Sequence, residues 1–112
     1  MNKYLETQND IAKILKAKFD MPSYEIFAKM NISTELEFIL ENDNMPQLDD
    51  LQQEKLIDII YDFYIDSDYD CSIYKITKSF VITLQKYGSF ECFKQKYYDD
   101  YLSVCDDIVF NL

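Results

Sequence analysis

Carboxylates are the side chains of this sequence whose number and spacing could do chemistry. Five of them recur at every fourth position: Asp50, Glu54, Asp58, Asp62 and Asp66. The stretch DFYIDSDYD, residues 62–70, then places four carboxylates among three aromatic rings. Such a group of acids could bind a metal ion, transfer protons, or present a negative surface to a cationic partner.

Calcium binding is one possibility, because Asp66, Asp68 and Asp70 match the first three ligands of an EF-hand loop. The sixth position of that loop requires glycine for a sharp turn, and here it is Cys71. The twelfth position requires a glutamate that closes the site, and here it is Thr77. We therefore predict no metal site in this stretch, and no cofactor.

Acid–base or nucleophilic catalysis has little support in the sequence. The chain has no histidine, the side chain most often used to transfer protons near neutral pH. Three cysteines are present, and Lys94 and Lys96 could activate Cys92, but we interpret all three as buried structural thiols. Adjacent acidic residues point about 100° apart on a helix, which does not suit a shared proton. The sequence thus predicts a protein without enzymatic activity.

The regular row of carboxylates fits a helix, on which each member lies about 6 Å further along the axis and about 40° further round. Like-charge pairs of this kind cost about 1–2 kcal/mol in total, so no local gain in stability explains them. The step is comparable to the spacing of phosphates along a nucleic-acid strand. Three tyrosines flank the row, and the segment YYDDY at 97–101 adds rings that can stack on arginine. The alternative is an acidic helix face that is merely solvated.

Negative charge is concentrated in the middle of the chain. The net charge is −10, and residues 35–70 hold twelve acids against Lys55 alone. Such a block repels nucleic acid and anionic membranes and attracts basic surfaces. We therefore predict a basic protein as the partner, with no direct contact to nucleic acid or membrane. Because the sequence has neither an apolar leader nor a run of about 20 apolar residues, we expect a soluble, cytoplasmic protein.

Helical spacing of apolar residues dominates the pattern. We predict a single domain, residues 1–112, that folds as an all-α bundle of about five to six helices. The predicted helices cover residues 4–19, 21–30 with an end at Asn31, 33–42 with a cap at Ser33 or Thr34, 48–66, 72–87 with Gly88 as its C-terminal cap, and 90–108. Segment 72–87 also alternates and contains many β-branched residues, so an α+β fold with a strand pair there is the alternative.

Two segments within residues 7–46 resemble a helix-turn-helix. The segment TQNDIAKIL carries Gln8, Ile11, Ala12 and Leu15 in the order of that motif's first helix. FAKMNIS, followed by Glu41, resembles the repressor type of the motif. The resemblance implies DNA binding through the next helix, STELEFILE. That helix has three glutamates and no basic residue, so phosphates would repel it.

In size, composition and acidic row, the chain resembles the acidic inhibitors of phages and mobile elements, such as anti-CRISPR, anti-restriction and DNA-glycosylase-inhibitor proteins. This class-level resemblance implies a non-enzymatic inhibitor that imitates nucleic acid and blocks a basic, nucleic-acid-binding site of its partner. The predicted contact residues are Asp50, Glu54, Asp58, Asp62, Asp66, Asp68 and Asp70, with Tyr61, Tyr64 and Tyr69 beside them. The first alternative is an immunity protein that neutralises a toxin or nuclease, and the second is a degenerate helix-turn-helix transcription regulator.

Overall fold

Helices make up most of the structure. The computed structural model describes residues 2–8, 23–42, 45–66 and 72–112. For residues 6–8 and 23 it describes the backbone and not the side chains. Over these ranges the chain contains no strand and six α-helices: α1 (Lys3–Gln8), α2 (Ser23–Leu40), α3 (Asp50–Asp66), α4 (Ile73–Tyr87), α5 (Phe90–Asp99) and α6 (Tyr101–Phe110). The predicted all-α bundle of five to six helices is confirmed. The alternative of a strand pair within 72–87 is wrong, because this segment forms α4.

One cluster of buried side chains joins all six helices. Each helix contributes at least one member that is almost fully buried, as shown by Tyr4, Ile26, Leu56, Ile76, Phe93 and Val104. The first predicted helix, residues 4–19, is described only as far as Gln8, and the rest of it lies outside the described residues. The core therefore fixes the faces of the helices on which surface residues can lie.

Helix α2 runs without interruption through Asn31, where the sequence predicted a helix end. The Ser33 hydroxyl donates to Asn2 Oδ1 at 3.1 Å, and the Thr34 hydroxyl donates back to the Met30 carbonyl at 3.0 Å. Both hydroxyls are thus occupied in a continuous helix, and neither caps a new one. The predicted end at Asn31 and the predicted cap are wrong. The turn that the repressor-type register requires is not formed at this point.

Helix α3 begins with a reciprocal cap. Asp49 Oδ1 accepts from the Gln52 backbone N–H at 2.7 Å, while Gln52 Oε1 accepts from the Asp49 backbone N–H at 3.1 Å. This exchange satisfies two donors that a helix start leaves free. The buried face of α3 consists of Leu56, Ile57, Ile59, Ile60, Tyr61 and Phe63. The helix predicted over residues 48–66 is confirmed.

Helix α4 crosses the centre of the core between two capping residues. The Ser72 hydroxyl accepts from a backbone N–H of the first turn, and Gly88 follows the last turn with a φ of 91°. The Phe80 ring lies 5.3 Å from the Phe63 ring and 6.0 Å from the Phe93 ring, in edge-to-face contacts. Such contacts favour a single arrangement of the rings. The predicted helix over 72–87, with Gly88 as its cap, is confirmed.

The positive φ of Gly88 leads to a stability prediction. A Cβ added at this residue would meet nothing within 4 Å, so the expected penalty of Gly88→Ala comes from the backbone alone. We expect the free energy of unfolding to fall by about 1–2 kcal/mol, measured by urea denaturation. Gln95→Ala, on the exposed face of α5, is the control and should stay within about 0.5 kcal/mol of the wild type. A wild-type midpoint for Gly88→Ala would contradict the cap.

The chain breaks between α5 and α6, although the sequence predicted one continuous face from residue 90 to 108. Asp100 leaves the helical conformation, with φ −143° and ψ 64°. The break allows α6 to pack back on α4, where the Ser79 hydroxyl donates to the Ile108 carbonyl and Asn111 Nδ2 donates to Thr83 Oγ1 at 3.1 Å. The prediction of a single final helix is therefore wrong, because packing on α4 outweighs helical continuity.

A carboxylate fastens α6 to the end of α4. Asp107 accepts a hydrogen bond of 2.7 Å from the Tyr87 hydroxyl and one of 3.0 Å from Lys86 Nζ. The bond from Tyr87, and then the bond from Lys86, hold the pKa of the Asp107 carboxyl below its ordinary value of 3.8. The bond to Asp107 raises the pKa of Tyr87 to about 12. The ionised form of Asp107 is thus the form that the fold prefers.

This preference makes the attachment of α6 sensitive to acid. Because the pKa of Asp107 is lowered in the folded state, its stabilisation is present above the ordinary pKa and is lost as the pH falls through the lowered pKa. We expect Asp107→Asn to be less stable than the wild type at about pH 6, and the difference to vanish towards about pH 2. Urea unfolding at a series of pH values measures it. A difference that does not change with pH would show that the charge of Asp107 has no role.

Candidate partner-binding surface

The acidic row lies along α3, and its members differ in exposure. Three are exposed, namely Asp50, Asp62 and Asp66, and two are half-buried, namely Glu54 and Asp58. The helix and its spacing are as predicted, so the row exists as a physical feature. Its middle, however, is turned towards the rest of the protein.

Two lysines from other helices meet the middle of the row. Lys29 Nζ lies 2.9 Å from Asp58 Oδ1, and the Tyr4 hydroxyl donates to the same oxygen at 2.8 Å. Lys3 Nζ lies 3.9 Å from Glu54 Oε1. Glu54 and Asp58 therefore have cationic partners within the protein. This argues against the contact role that the sequence predicted for these two residues.

Lys29 is a buried cation at the centre of this arrangement. Only 7% of it is exposed, and its ammonium lies between Asp58 and Glu25, the latter at 3.6 Å. The Tyr61 ring centroid is 5.3 Å and the Tyr4 ring centroid 5.9 Å from Nζ. An ammonium removed from water needs such partners, because desolvation of a charge is expensive. Asp58 thus has a structural role as the counter-ion of Lys29.

The tyrosines predicted beside the row are not equivalent. Tyr61 is only 5% exposed and packs under Lys29, so the prediction that it is a surface anchor is wrong. Tyr64 is 36% exposed. Tyr69, together with Asp68 and Asp70, lies outside the described residues. Tyr61 is therefore removed from the predicted contact residues. The contact role of Asp68, Tyr69 and Asp70 stays a prediction.

Asp62 and Asp66 form the outer part of the row. Both are exposed, and within the described ranges neither forms an ion pair. Partial burial raises the pKa of the Asp62 carboxyl above its ordinary value of 3.8; Lys29 opposes this, and Asp58 and Asp66 add to it. Negative charges crowded in this way are stabilised by a cation that approaches from outside.

The junction of α5 and α6 carries three tyrosines, of which Tyr97 is influenced by the Asp62 carboxylate and Tyr101 by the Asp66 carboxylate. The Tyr97 ring lies 5.7 Å from the Tyr98 ring and 5.1 Å from the Tyr101 ring, edge to face in both cases. Burial is the main cause that raises the pKa of Tyr97, and the Asp62 carboxylate adds to it. Tyr97 is buried, whereas Tyr98 is 59% and Tyr101 41% exposed. The outer rings are therefore available beside the acidic row.

The two exposed rings lie near different parts of α3, Tyr101 near Asp66 and Tyr98 near Lys55. A hydrogen bond with Cys105 is the first cause that raises the pKa of Tyr101, and the Asp66 carboxylate contributes further. Lys55 Nζ, on the same helix as Asp66, lies 5.8 Å from the Tyr98 ring centroid, so this ring already accepts a cation. We call Asp62, Asp66, Tyr98 and Tyr101 the acidic-aromatic face.

Sequence reasoning missed Tyr98 and Tyr101 as members of the site. The segment YYDDY was a visible signal, and it was interpreted only as a source of additional rings. The position of Tyr101 near Asp66 depends on the break at Asp100, which the sequence did not predict. Exposed carboxylates beside exposed phenol rings can bind lysine and arginine side chains through charge and ring stacking.

The cysteines differ from their predicted environment. Cys92 is exposed, which contradicts the interpretation of a buried structural thiol. Cys105 is half-buried, and burial raises the pKa of its thiol, while the bond with Tyr101 lowers it in part. Cys71 lies outside the described residues. Helix α5 turns Cys92 outward because Phe90, Phe93 and Tyr97 occupy its buried face.

Two other features, a metal site and a membrane-spanning helix, are not found among the described residues. In that part, no group of three or more cysteine, aspartate or glutamate side chains is arranged to hold a metal ion. None of the helices described there combines the length and the apolar character needed to cross a membrane. The chain matches no protein-family model, no curated protein and no solved structure.

Proposed function

We propose that this protein is a non-enzymatic inhibitor that binds a basic, nucleic-acid-binding site of a partner protein through its acidic-aromatic face. One observation carries the proposal: Asp62 and Asp66 are exposed, with the exposed Tyr101 near Asp66, whereas Glu54 and Asp58 of the same row have lysine partners. Carboxylates that serve only the fold would be expected to pair in the same way. Asp62 and Asp66, which form no ion pair within the described ranges, are the candidates for contact.

The chemistry of the face suits a surface that normally receives nucleic acid. Its two carboxylates lie one helical turn apart, about 6 Å along the axis, a step that basic side chains spaced for phosphates can follow. The net charge of −10 would steer a basic partner towards the protein over roughly a Debye length. Tyrosine rings at the centre of an interface supply much of the affinity, and charges mainly increase the association rate.

A transcription regulator is less well supported. The predicted turn before STELEFILE is replaced by continuous helix, and Glu37 and Glu41 are exposed at the end of that segment. Phosphates would be repelled by such a surface. The class-level resemblance to phage and mobile-element inhibitors agrees with the acidity, and an immunity protein differs from it only in the identity of the partner.

A competition experiment tests the proposal. The tagged protein is used to capture partners from a lysate of cells that encode it, with elution by a salt gradient and a parallel capture in the presence of excess DNA or RNA. We expect a basic protein that elutes as salt rises, that nucleic acid displaces, and whose own nucleic-acid binding the protein inhibits. A partner that is retained equally well in excess nucleic acid would contradict the proposed mode of inhibition. A toxin enzyme as the captured partner would instead identify an immunity protein.

A further inference from the structure

We propose a second binding site, a groove along α4 that takes a small amphiphilic anion. The groove has a volume of about 350 Å³ and lies between α4 and the residues that follow α6. It is lined by Tyr74, Lys75, Lys78, Ile82, Asn111 and Leu112. Clefts of roughly this volume accommodate small molecules. None of these residues belongs to the acidic-aromatic face, so the two proposals stand independently.

The two lysines of the groove are the first reason to expect an anion. In the described part of the chain, Lys75 and Lys78 form no ion pair, although carboxylates are abundant. Five of the six other described lysines pair with acids, namely Lys3, Lys29, Lys86, Lys94 and Lys96, and the sixth, Lys55, lies over the Tyr98 ring. The lysines of the groove therefore keep their charge available for a ligand.

Their position on α4 adds to this argument. Lys75 lies in the first turn of the helix, where the helix dipole disfavours positive charge, and Lys78 lies one turn later on the same side. Like charges at this spacing repel each other slightly. A bound anion would relieve both effects at once, and no acidic side chain in the first turn does so.

The remaining walls suit an apolar or aromatic body. The Tyr74 ring is 37% exposed, has Lys78 Nζ at 5.8 Å from its centroid, and lies 6.5 Å from the Phe38 ring. Ile82 and Leu112 are half-buried along the groove. A carboxylate or phosphate can therefore bind between the two ammonium groups while an apolar body covers Ile82 and the Tyr74 ring.

The charge of the whole protein selects a small ligand over a polyanion. At a net charge of −10, a nucleic-acid strand or a strongly acidic peptide would meet repulsion from the rest of the surface. A ligand with one anionic group meets the least repulsion and still reaches both lysines. The occupant is thus a small molecule with an anionic group and an apolar body.

Fluorescence titration with anilinonaphthalenesulfonate, an aromatic sulfonate, tests this site. We expect saturable binding that Lys75→Gln combined with Lys78→Gln weakens by at least about tenfold, because both charge contacts are lost. Lys94→Gln combined with Lys96→Gln, on α5 and outside the groove, changes the net charge equally and should stay within about twofold of the wild type. Displacement by decanoate identifies a carboxylate ligand, and displacement by AMP a phosphate ligand.

Two further measurements locate the probe. Backbone amide NMR shifts during the titration should concentrate at residues 74–82 and 111–112, and Ile82→Asp should abolish them. Shifts confined to the acidic-aromatic face would overturn the proposal, as would equal affinity of the wild type and the lysine double variant. Tighter binding of the uncharged phenylnaphthylamine than of the sulfonate would reduce the groove to an apolar patch. Displacement by polyglutamate but by neither small anion would show that the occupant is a peptide.

Discussion

Replacing Asp62 and Asp66 together by lysine is expected to slow association with the basic partner by at least about tenfold and to abolish its retention at moderate salt. The change replaces two exposed negative charges by positive ones at the face that the partner must approach. Electrostatic steering acts mainly on the association rate, so surface plasmon resonance at several salt concentrations is the appropriate measurement. The rate should also lose most of its dependence on salt.

The structure separates this effect from a loss of folding. Asp62 and Asp66 form no ion pair in the described ranges, so their replacement breaks none of the ion pairs that join α3 to α1 and α2. Asp58 is excluded from the test, because it is the counter-ion of the buried Lys29. The circular-dichroism spectrum of the double variant should remain that of a helical protein. Its free energy of unfolding should lie within about 1 kcal/mol of the wild-type value.

A matched control distinguishes the face from net charge. Glu37→Lys combined with Glu41→Lys changes the charge by the same amount at the exposed end of α2. We expect this control to reduce the association rate only slightly, since it lies outside the proposed contact. If both double variants slow association equally, the effect belongs to the overall field of the protein, and the acidic-aromatic face has no specific role.

Local sequence signals predicted α3 and α4 well. Both helices combine strong apolar periodicity with residues that favour helix ends, and Gly88 marks the end of α4. The predicted end at Asn31 was wrong because local preference was outweighed by tertiary partners. Ser33 bonds to Asn2, a residue 31 positions away, and the pattern around Ser33 contains no sign of that contact.

The candidate site was predictable only in part, for the same reason. Regular spacing identified the acidic row, but the pairing of Lys29 with Asp58 joins two helices that are distant in sequence. Which acids face inward therefore could not be derived from spacing alone. Tyr101 follows the break at Asp100, and that break depends on how α6 packs against α4.

The ion pair between the buried Lys29 and the half-buried Asp58 provides the second large expected effect. Asp58→Ala is expected to lower the free energy of unfolding by about 3 kcal/mol, because among the described residues it leaves the buried ammonium with Glu25, at a longer distance, as its ion-pair partner. The Tyr4 hydroxyl would also lose its acceptor. Asp62→Ala, one turn further along α3, is the matched control and should change stability by no more than about 0.5 kcal/mol.

A double-mutant cycle shows whether this loss comes from the ion pair. Lys29→Met keeps an apolar stem between the rings of Tyr4 and Tyr61 and removes the charge, so we expect a loss of only about 1 kcal/mol. Once the ammonium is absent, removing Asp58 no longer strands a charge. The double variant should therefore be more stable than the sum of the two losses by about 1–3 kcal/mol in urea unfolding. Additive losses would mean that Lys29 and Asp58 are not coupled. Asp58, which is 42% exposed at its side chain, would then return to the set of candidate contact residues.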